Sequence, residues 1–184
     1  MFKNENTKYA LISLLKEYTK NSPVIVYNKI IENFDIFLHI IDNFKDSRPT
    51  IREATQELVE EFLQILSNRD ARLREEYMNK IFFKVEKIWE TTDNSYIHGI
   101  ILMLKACMIR REFFDVKYNL TKEKYIKAMD FLNKHKNHKN NSIKLLIIEF
   151  IPYFLEYNIK LFENNYFETF FSYYLNLMGK NPFN

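Results

Sequence analysis

Two histidines stand three residues apart in a short basic stretch of the chain, NKHKNHKNNS, at residues 133–142. His135 and His138 have a spacing that zinc sites use, together with one or two further ligands. The stretch contains no cysteine or carboxylate that would complete such a site, and its lysines would repel a cation. We therefore expect no metal site but a solvated basic loop between helices. An electrostatic contact with an acidic partner or with nucleic acid is the minor alternative.

Paired carboxylates are the next residues with catalytic potential, because two carboxyl groups can act as acid and base when burial separates their pKa values. The stretch 46–70, DSRPTIREATQELVEEFLQILSNRD, contains four glutamates at close intervals: Glu53, Glu57, Glu60 and Glu61. Consecutive glutamates on a helix most often keep its outer face solvated. We interpret this stretch as a structural helix with an acidic outer face.

The remaining candidates are Cys107, His98 and Gly99. A single cysteine excludes an internal disulfide and fits a reducing compartment. Cys107 lies on an apolar helix side beside Met108, which predicts a buried structural thiol. We interpret Gly99 as permitting close helix approach and His98 as a turn or packing residue, since a catalytic histidine would need an identifiable nucleophile. The sequence thus predicts no catalytic residue, no metal ligand and no cofactor.

Composition narrows the function classes further. The 184 residues include two glycines and four prolines, which leaves little material for phosphate-binding loops and favours helices joined by polar turns. The net charge of +3 is small for a nucleic-acid-binding protein. The longest apolar run, LLIIEFIPYFL, contains Glu149 and Pro152 and is too short to span a bilayer. The N-terminal residues lack the pattern of a signal peptide, so we expect a cytoplasmic protein.

Apolar residues recur every three to four positions throughout the chain, which predicts amphipathic helices. In the stretch 46–70 the stripe is Ile51, Ala54, Leu58, Phe62 and Ile65, with Arg52 and Gln56 on another face. Asp46, Ser47 or Thr50 is expected to cap this helix, with Thr50 and Glu53 at capping-box spacing. The same periodicity predicts eight helices, at residues 4–20, 24–45, 50–67, 74–91, 95–113, 122–134, 142–157 and 164–178.

The spacing of these helices distinguishes a closed bundle from a solenoid. Predicted helix starts near residues 50, 95 and 142 are about 45 residues apart, within the range of HEAT-like helix pairs. A stack of helical hairpins requires such a register, whereas a bundle does not. We therefore predict an all-α fold, a HEAT-like, armadillo-like α-solenoid of about four antiparallel helix pairs. Residues 1–184 would form one domain, a segment of a longer solenoid.

The segment DSRPTIREATQELVEEFLQIL resembles the second helix of a HEAT repeat. That motif has an aspartate in the turn, a β-branched residue followed by arginine, and then small residues, which here are Asp46, Ile51, Arg52, Ala54 and Thr55. The resemblance implies that Asp46 and Arg52 stitch neighbouring repeats together through charge-assisted hydrogen bonds.

Three stretches together resemble successive helices in the N-terminal HEAT region of target of rapamycin (TOR) kinases. They are IREATQELVEEFLQILSNRD, YIHGIILMLKACMIR, which follows Trp89, and NNSIKLLIIEFIPYFLEYN. The resemblance covers about residues 30–180, and the His98–Gly99 pair is its most distinctive feature. The sequence has no kinase glycine-rich loop, His-Arg-Asp loop or Asp-Phe-Gly motif, so this chain is expected not to be an enzyme.

The resemblance implies a non-catalytic helical-repeat scaffold for protein–protein interaction in TOR complex assembly. The implied partners are the remaining TOR helical regions and a Raptor-like subunit, while the residues that would contact them are not legible from the sequence. The alternative is a stand-alone HEAT- or armadillo-type adaptor in transport or complex assembly, which would need polar faces at both ends. The aromatic final helix, NNYFETFFSYYLNLM, instead has the pattern of a helix that a further neighbour covers.

Overall fold

The structure is a computed structural model that describes residues 5–108, 122–157 and 159–179. In these ranges the chain forms α-helices and one short 3₁₀ helix, at residues 42–45, and no strand. The helices are α1 (Glu5–Asn21), α2 (Pro23–Glu32), α3 (Phe34–Ile41), α4 (Pro49–Arg69), α5 (Ala71–Glu86), α6 (Asn94–Met108), α7 (Lys122–His135), α8 (Asn141–Tyr157), α9 (Ile159–Asn165) and α10 (Phe167–Leu177).

Most predicted helices are confirmed, but the predicted helix 24–45 is wrong as a single element. The chain leaves helical geometry at Asn33, with φ −137° and ψ 56°, and α3 then tightens into the 3₁₀ turn 42–45. Asparagine competes with the helix for backbone partners, and the Asn33 amide group turns towards the carbonyl of Lys29. The predicted range 164–178 also divides, because Tyr166 separates α9 from α10. The predicted residues 109–113 lie outside the described ranges.

The helix caps differ in part from the prediction. The N-cap of α4 is Arg48, which makes no side-chain cap hydrogen bond, so capping by Asp46, Ser47 or Thr50 is wrong. The Asp46 carboxylate instead accepts the backbone N–H of Arg48 and closes the turn that leads into Pro49. The N-cap of α5 is Asp70, whose carboxylate accepts the backbone N–H groups of Arg72 and Leu73, so this helix begins three residues earlier than predicted.

The helices form two layers, which makes the chain an all-α helical solenoid. In the first layer α1 packs on α4, α4 on α6, and α6 on α8. In the second layer α3 meets α5 through Phe37 and Tyr77, whose ring centroids are 5.3 Å apart, and α7 meets the α9–α10 corner through Tyr166. Helices α4, α6 and α8 begin at residues 49, 94 and 141, so the predicted spacing of about 45 residues is confirmed.

The core lies between the two layers and runs along the stack. The predicted stripe on α4 is buried, including Ile51, Leu58 and Phe62. Helix α6 is more deeply enclosed than its sequence suggested, because every residue from Ile97 to Met108 except Lys105 is buried. The helices of the first layer thus contribute a continuous row of buried apolar residues to the core. Buried polar residues among them form hydrogen bonds from one helix to the next.

Candidate functional site

Arg52 lies in the interface between α4 and α6, which we call the α4–α6 joint, and its side chain is only 5% exposed. Its Nη1 donates to the backbone carbonyls of Asp46, at 2.6 Å, and Ser47, at 2.9 Å. Its Nε donates to Nδ1 of His98 at 3.2 Å. The periodicity had placed Arg52 on a polar face of α4, but the side chain is buried because the next pair of helices covers it. Arg52 therefore joins the turn before α4 to the start of α6.

The carboxylate of Asp46 faces different partners. It accepts Lys8 Nζ of α1 at 2.5 Å and Arg48 Nε at 2.9 Å. Burial alone would raise the pKa of this carboxyl, but the hydrogen bonds from Arg48 and Lys8 outweigh that effect and hold the pKa well below its usual range. Asp46 and Arg52 thus meet through the Asp46 backbone carbonyl. Each side chain reaches a different neighbouring helix, and their role in stitching repeats stays a prediction.

His98 is the partner that brings α6 to Arg52. Its Nδ1 accepts a hydrogen bond from a guanidinium, which requires that Nδ1 carry no proton and that a neutral ring carry its proton on Nε2. Burial, reinforced by the positive charge of Arg52, lowers the pKa of His98 to about 4. The ring is 6% exposed, and its interpretation as a packing residue is confirmed.

Gly99 allows α6 to pack closely against the 3₁₀ turn that precedes α4. A Cβ atom at this position would lie 1.9 Å from the backbone oxygen of Phe44 and 2.9 Å from its carbonyl carbon. Real Cβ atoms do not approach backbone atoms this closely, so any side chain here would force α6 away from the 3₁₀ turn. The expectation that Gly99 permits a close helix approach is confirmed.

Lysines of the second layer form ion pairs with residues of the preceding helices. Lys84 of α5 pairs with Asp42 at 2.7 Å and donates to the carbonyl of Leu38. Lys127 of α7 pairs with Glu86, also at 2.7 Å. Partly exposed pairs of this kind stabilise a fold only slightly, but they favour one register of stacking over others.

The two histidines of the basic stretch, His135 and His138, do not lie together in a solvated loop. His135 ends α7, is 8% exposed and packs against Phe131, with ring centroids 4.6 Å apart. The expected solvated loop is therefore wrong at this residue, since His135 belongs to the core. The ring of His138 lies 5.9 Å from that of His135. Within the described ranges, no group of three or more potential metal ligands comes together.

Of the four α4 glutamates, Glu53 and Glu57 are exposed as predicted, whereas Glu60 and Glu61 are half-buried, and two of the four contact α1. Glu57 pairs with Lys16 at 2.6 Å, and Glu61 is 3.9 Å from Lys20. Cys107 is 1% exposed, and burial raises the pKa of its thiol to about 12, so the prediction of a buried structural thiol is confirmed. These residues contribute contacts and packing to the stack.

The two ends of the stack expose large apolar side chains. At the α1–α3 end the most exposed are Leu14 (66%) and Ile36 (58%). At the α9–α10 end Phe167 and Phe171 stack on each other at 5.3 Å, and about half of the Phe171 side chain remains exposed. Apolar surface concentrated in this way marks sites of protein contact. The end faces are the candidate interaction surfaces of the described chain.

No helix in the described ranges combines the length and the apolar character that a membrane crossing requires.

Comparison with known proteins connects the solenoid to one class of kinase. The chain is 28% identical over 178 residues to the serine/threonine-protein kinase tor1 of Schizosaccharomyces pombe. The match covers 97% of this chain and 7% of the length of that kinase. No family model matches the chain, and no solved structure matches it. The predicted resemblance to TOR kinases is confirmed: along nearly its whole length, this helical solenoid is similar to a segment of a TOR serine/threonine-protein kinase.

Proposed function

We propose that the chain is a non-catalytic HEAT-type scaffold that works as a segment of a longer TOR-like solenoid in the cytoplasm. The observation that supports this proposal best is the apolar character of both end faces, at Leu14 and Ile36 on one side and at Phe167 and Phe171 on the other. A solenoid that ends in water needs polar capping helices, whereas an internal segment presents apolar faces to the repeats beside it.

The mechanism of such a scaffold is geometric. Each pair of helices contacts its neighbours, and the polar residues in the joints fix the angle at which one pair follows the next. Arg52, His98 and Gly99 hold the α4–α6 joint in one close arrangement. We propose that Asp46 and Arg52 stitch repeats in this sense, each through a bond to a neighbouring first-layer helix.

The partners follow from the kinase resemblance and are part of the proposal. They are the remaining TOR helical regions, which would stack on the end faces, and a Raptor-like subunit. The chain itself would contribute shape and docking surface to the complex and no chemistry, because the polar groups that might react are used in its joints. Phosphoryl transfer would be carried out elsewhere in the parent complex.

The size of the cellular protein tests this proposal. An antibody raised against this chain is used to recover the endogenous protein, which is then sized on a gel and sequenced by mass spectrometry. We expect a very large polypeptide with kinase peptides in the same band and a Raptor-like protein in the same eluate. A band near 22.5 kDa without kinase peptides would contradict the proposal and leave a free adaptor.

A further inference from the structure

A polar pocket lies between α10 and the turn that joins α7 to α8. Its volume is about 410 Å³, within the range of pockets that bind small organic molecules. We call it the α7–α10 pocket. Its polar lining consists of Lys136 and Asn137 on the turn and of Thr169, Ser172 and Asn176 on α10. The three α10 residues are spaced by three and four positions, so they lie on one face of the helix.

The two walls of the pocket are held together by contacts within the chain. Tyr173 of α10 is 8% exposed, and its hydroxyl donates to the backbone carbonyl of Lys136 at 2.6 Å. The ammonium group of Lys136 lies 5.6 Å from the centre of the Phe170 ring, also on α10. These contacts fix the turn against the helix, so the pocket is formed without a ligand.

Lys136 provides the charge of the pocket, and its ammonium group has neutral partners. They are the amide oxygen of Asn133, at 2.7 Å, and the Phe170 ring. Lys127 and Lys134 of α7 pair instead with carboxylates of the preceding helices, and no carboxylate is found among the described residues that line the pocket. Burial lowers the pKa of Lys136, because the ammonium group loses hydration and gains no counter-charge. An anion bound in the pocket would supply that charge.

The other polar groups of the lining are uncharged. They are the hydroxyls of Thr169 and Ser172 and the amides of Asn137 and Asn176, whose side chains form no hydrogen bond with any other described residue. Hydroxyl and amide groups both donate and accept, which suits the hydroxyl groups of a polyol. Sites for phosphorylated peptides use clusters of arginine, and no arginine is found among the described lining residues.

We propose that the α7–α10 pocket binds a small phosphorylated polyol, with its phosphate on Lys136 and its hydroxyl groups on Ser172 and Asn176. A lysine pairs with phosphate as a point charge and sets no orientation, so the hydroxyl and amide groups orient the ligand. With a single cation in the site we expect a Kd of about 1 mM. The inference goes beyond the scaffold function and does not depend on it.

The test uses the isotope-labelled full chain and glucose 6-phosphate as the probe, with glucose and inorganic phosphate as reference ligands at constant ionic strength. Two-dimensional NMR spectra follow the backbone amides during each titration. We expect saturable shifts at residues 136–137 and 169–177 with glucose 6-phosphate. Glucose should bind at least about tenfold more weakly because it lacks the charge, and inorganic phosphate about threefold more weakly because it lacks the polyol.

A matched pair of variants separates the pocket from the general charge of the turn. Lys136→Gln and Lys139→Gln each remove one positive charge, but Lys139 is exposed and does not line the pocket. Lys136→Gln should weaken binding of glucose 6-phosphate at least about fivefold, and Lys139→Gln less than about twofold. Ser172→Ala, at an exposed position, should weaken glucose 6-phosphate about twofold to fivefold and leave inorganic phosphate unchanged. Unchanged amide signals from the core show that each variant is folded.

Four outcomes would overturn the proposal. Equal effects of the two lysine substitutions would mean a diffuse attraction to the turn, and equal affinity for inorganic phosphate and glucose 6-phosphate would mean that the polyol is not recognised. Tighter binding of a phosphoserine peptide than of glucose 6-phosphate would make the pocket a protein-docking site, and the absence of saturable shifts would exclude a site altogether. The size of the endogenous protein, which tests the scaffold proposal, is independent of all four.

Discussion

The guanidinium of Arg52 and the imidazole of His98 lie 3.2 Å apart although 46 positions separate them in the sequence. That separation is one repeat of the stack. The bond joins two adjacent helices of the first layer, α4 and α6, beside the point where Gly99 brings α6 against the backbone of Phe44. A buried cation, a neutral histidine and a glycine thus define one joint, and each can be tested by itself.

Replacing Arg52 with lysine should destabilise the fold by about 2–3 kcal/mol. Lysine keeps the charge but cannot reach the two carbonyls and His98 Nδ1 in the fork geometry of a guanidinium, so buried acceptors lose their donors. Urea unfolding followed by circular dichroism measures the change. Arg72→Lys on the exposed side of α5 is the control and should change stability by less than about 0.5 kcal/mol. Equal effects of the two substitutions would show that the Arg52 contacts contribute little.

Replacing Gly99 with alanine should cost about 1–3 kcal/mol, because a methyl group here overlaps the carbonyl of Phe44 and must push α6 away. Thermal unfolding of the variant gives the loss directly. Gly179→Ala offers a contrast, since Gly179 has open space around it and a φ of +65°. Its cost should be about 1–2 kcal/mol, from backbone conformation alone and without displacement of a neighbouring helix. A Gly99→Ala protein as stable as the parent would contradict the close approach.

Features of the fold that have a local origin follow from the sequence pattern. The stripe through Ile51, Leu58 and Phe62 predicted α4 and its buried side, because helical periodicity depends on residues within a few turns. The spacing of helix starts predicted the stack for a related reason, since each hairpin repeats the same length of chain. His98 and Gly99 were singled out by motif, and their packing roles are confirmed.

Other features depend on neighbours that the local pattern does not contain. Arg52 was placed on a polar face, and its burial arises from α6, which lies one repeat away. His135 was assigned to a solvated loop because its sequence neighbours are lysines, but Phe131 on the same helix turns the ring into the core. The break at Asn33 was missed because the apolar stripe continues across it. For Arg52 and His135 the packing of the core outweighs the composition of the segment, whereas the break at Asn33 has a local cause, the hydrogen bond from its amide to the carbonyl of Lys29.

Lowering the pH should destabilise the protein through His98. Burial and the charge of Arg52 lower its pKa from 6.5 to about 4 in the folded state, whereas the unfolded chain titrates near 6.5. Between these values the unfolded state binds more protons, so the free energy of unfolding is highest above pH 6.5 and falls towards pH 4. His135, whose pKa burial also lowers to about 4, acts in the same direction.

The contribution of His98 can be separated with His98→Asn, since the amide oxygen of asparagine can accept from Arg52 without titrating. Urea unfolding from about pH 7.5 to about pH 5 should show a smaller loss of stability in this variant than in the parent. A pH dependence identical in the two proteins would mean that His98 has an ordinary pKa in the folded state. The pH dependence of stability that remains in the variant comes from the titration of His135 and of the carboxylates.

The thiol of Cys107 should be unreactive in the folded protein. It is 1% exposed, and burial raises its pKa to about 12, so both access and thiolate formation oppose attack on a coloured disulfide reagent. We expect reaction only after unfolding in guanidinium chloride. Ser172→Cys is the matched control, because position 172 on α10 is exposed and its thiol should react at once in the folded state. If Cys107 of the folded parent reacted as fast as the thiol introduced at position 172, α6 would open readily, and the joint built on Arg52, His98 and Gly99 would not hold it.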